Sequence, residues 1–226
     1  MEQHVSDTYV HILKNELIVA LGCTEPIAIA YAGALARKVL GAVPQRVNVA
    51  CSGNIVKNVK GVTVPNSGGL RGIKVAALLG ITGGDAKKEL AVLESVTDEA
   101  REEARRLLAA GVCTTSLVEG EENLAVTVTA EAGGHTALVE IRGTHTHVAR
   151  IEKDGAVLQS SAVEGGVQKT APDKALLNVR DILTFAETAD LSEIKPLLLR
   201  QIECNVAISH EGLRQGYGGE VGRTLL

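Results

Sequence analysis

Apolar residues recur at near-helical spacing from residue 5 to 17 and predict a first helix. A polar start at Thr24-Glu25-Pro26 opens a second that runs to about residue 40. Residues 46–51 alternate apolar and polar and predict a strand. The polar stretch Ser52-Gly53-Asn54-Ile55-Val56-Lys57-Asn58 then leads into Gly61-Val62-Thr63-Val64-Pro65. The glycine-rich run Asn66-Ser67-Gly68-Gly69-Leu70-Arg71-Gly72 precedes an Ala/Leu-rich segment, 73–79, that predicts a buried helix. Gly83-Gly84 break it, Asp85 caps a short helix to residue 94, and Thr97-Asp98-Glu99 cap another that runs to residue 108 and ends at Gly111.

Beyond Gly111 the period becomes two. Residues 112–118, 124–130, 136–141, 146–151 and 156–162 alternate and are separated by Glu-Gly, Gly-Gly and Asp-Gly turn signals. Helical spacing returns over 173–187 and from 191 to about 213. The expected fold is α+β: a helical N-terminal layer, a largely antiparallel sheet in the middle and C-terminal helices, with a soft subdomain boundary near Gly111.

Composition narrows the chemistry. Apolar residues make up 45% of the 226 but aromatic residues only 2%, so the core must be aliphatic and the composition argues against base stacking. The net charge of −4 comes from interspersed signs, leaving no basic footprint for nucleic acid. No stretch approaches 18 consecutive apolar residues, and Met1-Glu2-Gln3-His4 lacks the basic and apolar regions of a signal peptide, so no membrane contact and a cytoplasmic location are expected. The four cysteines, Cys23, Cys51, Cys113 and Cys204, form no C-x-x-C pair, which argues against a disulfide framework or a zinc ribbon.

Cys23 stands at the start of the second helix, where Thr24 suits an N-cap, Glu25 suits the positive end of the dipole and Pro26 is tolerated in the first turn. Converging backbone N–H groups there would favour thiolate, the form that ligates metal or attacks electrophiles. A small buried side chain beside a cap is the equal alternative. Asn54, Lys57 and Asn58 offer an amine and two amides that can hold a carboxylate or simply cap a turn. Ser67, Gly68 and Gly69 lie in a glycine loop that can present N–H groups to a carboxylate or phosphate, or serve as a tight connection. The loop has neither Walker nor dinucleotide spacing. His145 and His147 would share one side of a strand, as two metal ligands do, although a hydrogen-bonded polar pair is the more ordinary outcome.

Several of these segments occur, in order, in one family. Leu21-Gly22-Cys23-Thr24-Glu25-Pro26, Ser52-Gly53-Asn54-Ile55-Val56-Lys57-Asn58, Gly61-Val62-Thr63-Val64-Pro65 with the glycine loop, Ala77-Leu78-Leu79-Gly80, Leu93-Glu94, His145-Thr146 and Ser209-His210-Glu211-Gly212-Leu213 are similar to the N-terminal half of the iron-sulfur L-cysteine desulfidases. These are PLP-independent lyases related to the alpha part of iron-sulfur L-serine dehydratases. The resemblance implies a 4Fe-4S cluster held by three cysteines with one iron open as Lewis acid, Cys23 being one ligand. It also implies conversion of L-cysteine to sulfide, pyruvate and ammonia, or the matching dehydration of L-serine. The substrate contacts it suggests are Asn54, Lys57, Asn58, Ser67, Gly68, Gly69 and His145; the catalytic base is not identified.

Family members continue into a second half that carries the remaining ligands, and Cys51, Cys113 and Cys204 fall outside their motifs. The glycine loop is one residue longer here, and His147 replaces an expected Asn. The chain is therefore expected to be the N-terminal region of a two-part protein, without the cluster and inactive by itself, with apolar surface that favours a homo-oligomer. A non-catalytic amino-acid-binding module would use the same Asn54, Lys57, Asn58 and glycine loop. A mononuclear metal hydrolase would use His145 and His147.

Overall fold

The computed structural model describes residues 1–120, 123–161, 173–214, 216 and 219–226. The first helix, α1, spans Gln3–Glu16, and the second, α2, spans Thr24–Leu40. From Pro26 to Ala34 every residue of α2 is buried, the signature of a helix enclosed on all sides. After the strand β1, Arg46–Ser52, come a seven-residue helix α3, Gly53–Val59, and a second enclosed helix α4, Ile73–Gly83, buried from Val75 to Ile81. The stretch 52–58, read from sequence only as polar, is largely helical, with Ile55 and Val59 buried on one side.

Small side chains let α2 and α4 touch backbone to backbone. A Cβ on Gly80 would lie 2.0 Å from the Ala30 carbonyl oxygen, and one on Gly33 would lie 2.6 Å from that of Ala77. Close helix approach takes the place of the bulk that a core poor in aromatics lacks. A 3₁₀ turn, Ala86–Ala91, follows, with the Asp85 side chain accepting from Lys87 N–H. The helix α5, Asp98–Ala109, is capped by Thr97, whose Oγ1 accepts from Ala100 N–H at 3.3 Å.

The remaining strands are β2 (Cys113–Val118), β3 (Ala125–Ala132), β4 (His135–Arg142), β5 (Val148–Lys153) and β6 (Ala156–Ser160). The last residue of the expected strand 156–162, Ala162, lies outside the described residues. The sheet has the order β2-β1-β3-β4-β5-β6; only β1 and β2 are parallel, joined by the α3–α5 crossover. The strand β2 therefore sits beyond β1 and forms no hairpin with β3. Inward residues Val47, Val49, Cys51, Val126, Val128, Val139 and Ile141 pack into the core that holds α2 and α4.

Two compact units emerge, Ala20–Gly166 and Met1–Val19 with Val167–Leu226. No division falls near Gly111, because β1, before it, pairs with strands on its far side. In the terminal unit α1 meets α6, Val179–Thr188, with Tyr9, Ile12, Phe185 and Ile194 at the centre and the two rings 5.4 Å apart. The expected helix 173–187 is split. A 3₁₀ turn, Lys174–Leu176, precedes Asn178, whose Oδ1 caps α6 through Asp181 N–H at 3.0 Å. The helix α7, Lys195–Arg214, has no buried residue and exposes Leu199, Ile202 and Val206; α8, Val221–Leu225, follows.

Candidate functional site

Gly22 turns the chain into α2 with φ of 150°, a conformation side-chain-bearing residues rarely adopt, and Pro65 lies 3.5 Å from where its Cβ would be. The next residue, Cys23, and not Thr24, is the N-cap, and no side-chain capping bond forms. The thiol donates to Glu25 Oε2 at 2.9 Å. Burial pushes the Cys23 thiol above its ordinary range and the Glu25 carboxylate adds to the rise; the Glu25 backbone N–H pulls the other way and is outweighed. Of the two readings left open for Cys23 the thiol is favoured, because burial, and after it the carboxylate two residues on, outweigh what the helix start offers.

Glu25 is the hub. Its Oε1 accepts from Asn58 Nδ2 at 2.9 Å, and the thiol bond, ahead of the Asn58 amide and the facing His145, holds its carboxyl below the usual range. Asn58 comes from α3, where Asn54 lies one turn before it on the same face and Lys57 lies one turn after Asn54, both exposed. Sequence patterning read Glu25 only as a dipole partner. The signal for its larger role was its position in the first turn, where a carboxylate can reach both the cap residue and a neighbouring element.

His145 arrives from the other side. Its Nε2 and Thr24 Oγ1 share a 3.1 Å hydrogen bond. Burial lowers its pKa below the usual histidine range, against the opposing pull of Glu25. The imidazole is therefore neutral at pH 7. The expected strand 146–151 begins only at Val148, and His145 and His147 both lie in the β4–β5 turn, closed by Arg142 N–H to His147 O at 3.1 Å. They do not form a pair: His147 Nδ1 bonds the Arg142 carbonyl at 3.0 Å and its Nε2 meets Ser161 Oγ at 2.9 Å.

The glycine loop is tied into its own turn. Ser67 is buried with its hydroxyl donated to the Leu70 carbonyl at 3.0 Å, Asn66 Nδ2 donates to Leu93 O at 2.8 Å, and Gly68 lies against Arg105 of α5. Gly69 faces open space, and Pro65 is the point at which this segment meets Gly22.

No protein-family model matches the chain. Among curated proteins it is 50% identical over 217 residues to a UPF0597 protein of Lachnoclostridium phytofermentans, covering 96% of this chain and 52% of that one. A UPF0597 protein of Treponema denticola is 38% identical over 227 residues, covering 100% of this chain and 53% of its own length. One of Finegoldia magna is 42% identical over 221 residues, covering 96% and 52%. The chain spans about half the length of the curated relatives it matches.

Within the unit that holds Cys23, the other two thiols do not join it. Cys51 and Cys113 are core residues on β1 and β2, pushed up by burial to about 12 and about 11, and Cys204 lies on α7. Among the described residues no group of three or more His, Cys, Asp or Glu is placed to hold a metal ion. A 4Fe-4S cluster with one open iron takes three thiolates. The residues present, one thiol already engaged by a carboxylate, do not fit it on their own.

Proposed function

We propose that the chain is the N-terminal part of a lyase acting on a small amino acid, L-cysteine with release of sulfide, pyruvate and ammonia, or L-serine by the corresponding dehydration. The observation that carries this is the convergence of Cys23, Glu25, Asn58 and His145. They come from three segments far apart in sequence, each a segment on which the resemblance rests. In this reading Cys23 supplies one ligand to a 4Fe-4S cluster in the full-length protein. The other thiolates come from the second half of the full-length protein.

What the chain's own residues do is positional. Asn58 orients Glu25, and Asn54 and Lys57 present an amide and an ammonium to a substrate carboxylate on the same face of α3. Neutral His145 offers a nitrogen for the substrate. The exposed apolar side of α7 is consistent with the second half, or a second copy, as partner. The test is anaerobic purification of the full-length protein, with iron and acid-labile sulfide measured alongside pyruvate released from L-cysteine and from L-serine. Bound iron, turnover of one amino acid, and loss of both in Cys23→Ser with an unchanged circular dichroism spectrum are expected. Iron-free protein, or full turnover by Cys23→Ser, refutes the proposal.

A further inference from the structure

The helix α4 breaks a rule that its neighbours keep. Both α2 and α5 carry acids in the first turn and bases in the last, Glu25 with Arg37 and Lys38, and Asp98 and Glu99 with Arg106, as the helix dipole favours. The first turn of α4 has no acid and no side-chain cap. Instead Lys74 is its second residue, and Arg71 precedes it by two positions. The N–H groups of Ile73, Lys74 and Val75 find no acceptor among the described residues. Positive charge is thus stacked on the positive end of a helix.

These groups line a cavity of about 350 Å³. Lys60, at the end of α3, adds a third cation, and no carboxylate lines the cavity. Among the described residues none of the three cations is in an ion pair. In a chain of net charge −4, three cations with no ion pair among the described residues line one concavity that holds no carboxylate, an electrostatically unbalanced arrangement. The rest of the wall is apolar, from Val56, Ile73 and Leu108. Its size is at the small end of ligand sites. Val56 and Lys60 lie one turn apart on α3, on a different face from Asn58, so the cavity is separate from the Cys23 cluster.

We infer that this cavity binds a small phosphate monoester, the phosphoryl group held by Lys60, Arg71, Lys74 and the free N–H groups of α4, and its organic body laid on Val56, Ile73 and Leu108. A phosphate, carrying nearly two charges and three acceptor oxygens, matches three cations and a helix start better than a carboxylate does. The site is independent of the lyase proposal, since it is read by binding and not by turnover.

The test is a titration of the chain with phenyl phosphate, followed by ³¹P NMR and calorimetry, with inorganic phosphate and benzoate as comparison probes. Saturable binding of phenyl phosphate is expected, tighter than either comparison probe. It should weaken by about tenfold in each of Arg71→Gln and Lys74→Gln, as for loss of one charged hydrogen bond. Lys87→Gln, which removes an exposed charge elsewhere, should leave it within about twofold. The replaced side chains are exposed, and the unliganded melting temperature of each variant checks the fold. The inference is overturned by no saturation at concentrations on the order of 10 mM, or by Lys87→Gln being as damaging as Lys74→Gln. Benzoate binding as tightly as phenyl phosphate would overturn the phosphate assignment, and inorganic phosphate binding more tightly would overturn the monoester.

Discussion

The close approach of α2 and α4 can be tested with one methyl group. In Gly80→Ala the new Cβ would stand 2.0 Å from the Ala30 carbonyl oxygen and 2.7 Å from its Cα, where ordinary contact begins at 3.4 Å. Both partners are backbone, so no rotamer change relieves the overlap and the helices must separate by about 1 Å. Overpacking of this kind costs about 3 kcal/mol, the upper part of its usual range, while replacing a helical glycine by alanine returns about 1 kcal/mol. The net loss is about 2 kcal/mol, a fall in melting temperature of about 6 °C for a unit of this size. Gly212→Ala makes the same chemical change in α7, where nothing lies within 4 Å of the new methyl. It should stabilise the helix by about 0.5 kcal/mol. Thermal and urea unfolding followed by circular dichroism would give the two values. A Gly80→Ala protein as stable as the parent, or more so, would show that helix propensity outweighs the contact and that the helices are not this close.

Two further outcomes follow from the Cys23 cluster. In a Cys204→Ser background, Glu25→Gln removes the carboxylate that favours the Cys23 thiol, and iodoacetamide should label Cys23 about threefold faster at pH 7.5, the gain in thiolate being tempered by its lower nucleophilicity; an unchanged or slower rate would contradict the assignment of Glu25 as the opposing group. His145 should titrate below the usual histidine range by ¹H NMR. Because the unfolded chain then binds the proton more readily, its contribution to stability is intact above about pH 6.5 and is lost as pH falls from there through the folded pKa. His145→Gln should flatten that acid limb, and a His145 midpoint at or above 6.5 would count against the burial argument.

The periodic elements were legible because burial imposes the period. The helix α2, the strand β4 and the caps Thr97 and Asp85 stand within a few residues of where the pattern puts them. The helix α3 was not, since seven residues with two buried are too few to set a helical period against their polar neighbours. The side of the sheet taken by β2 was also hidden, because alternation records which face is buried and not which strand lies alongside. At the site, the sequence marked Cys23, Asn58 and His145 singly, by residue type. Their meeting through Glu25 and Thr24 depends on tertiary placement, as does the burial that raises the thiol's pKa. The pairing of Tyr9 with Phe185 joins the two ends of the chain and leaves no local trace.

The position of β1 bears on how the chain is made. It leaves the ribosome early, yet its partners lie far downstream: Asn48 meets Thr114 across 66 residues on one side, and Arg46 meets Glu131 across 85 on the other. A strand with Val47, Val49 and Cys51 fully inward therefore waits with both edges unpaired until β2 has been synthesised, and with one edge unpaired until β3 has. The loops to be closed are long, and long-range pairing is the slow part of folding. The β3–β6 meander, whose neighbours are sequential, can form as a template first. Closure of the sheet is then the insertion of an early strand into a late one's edge, and the interval before it is when this protein is most exposed to edge-to-edge aggregation.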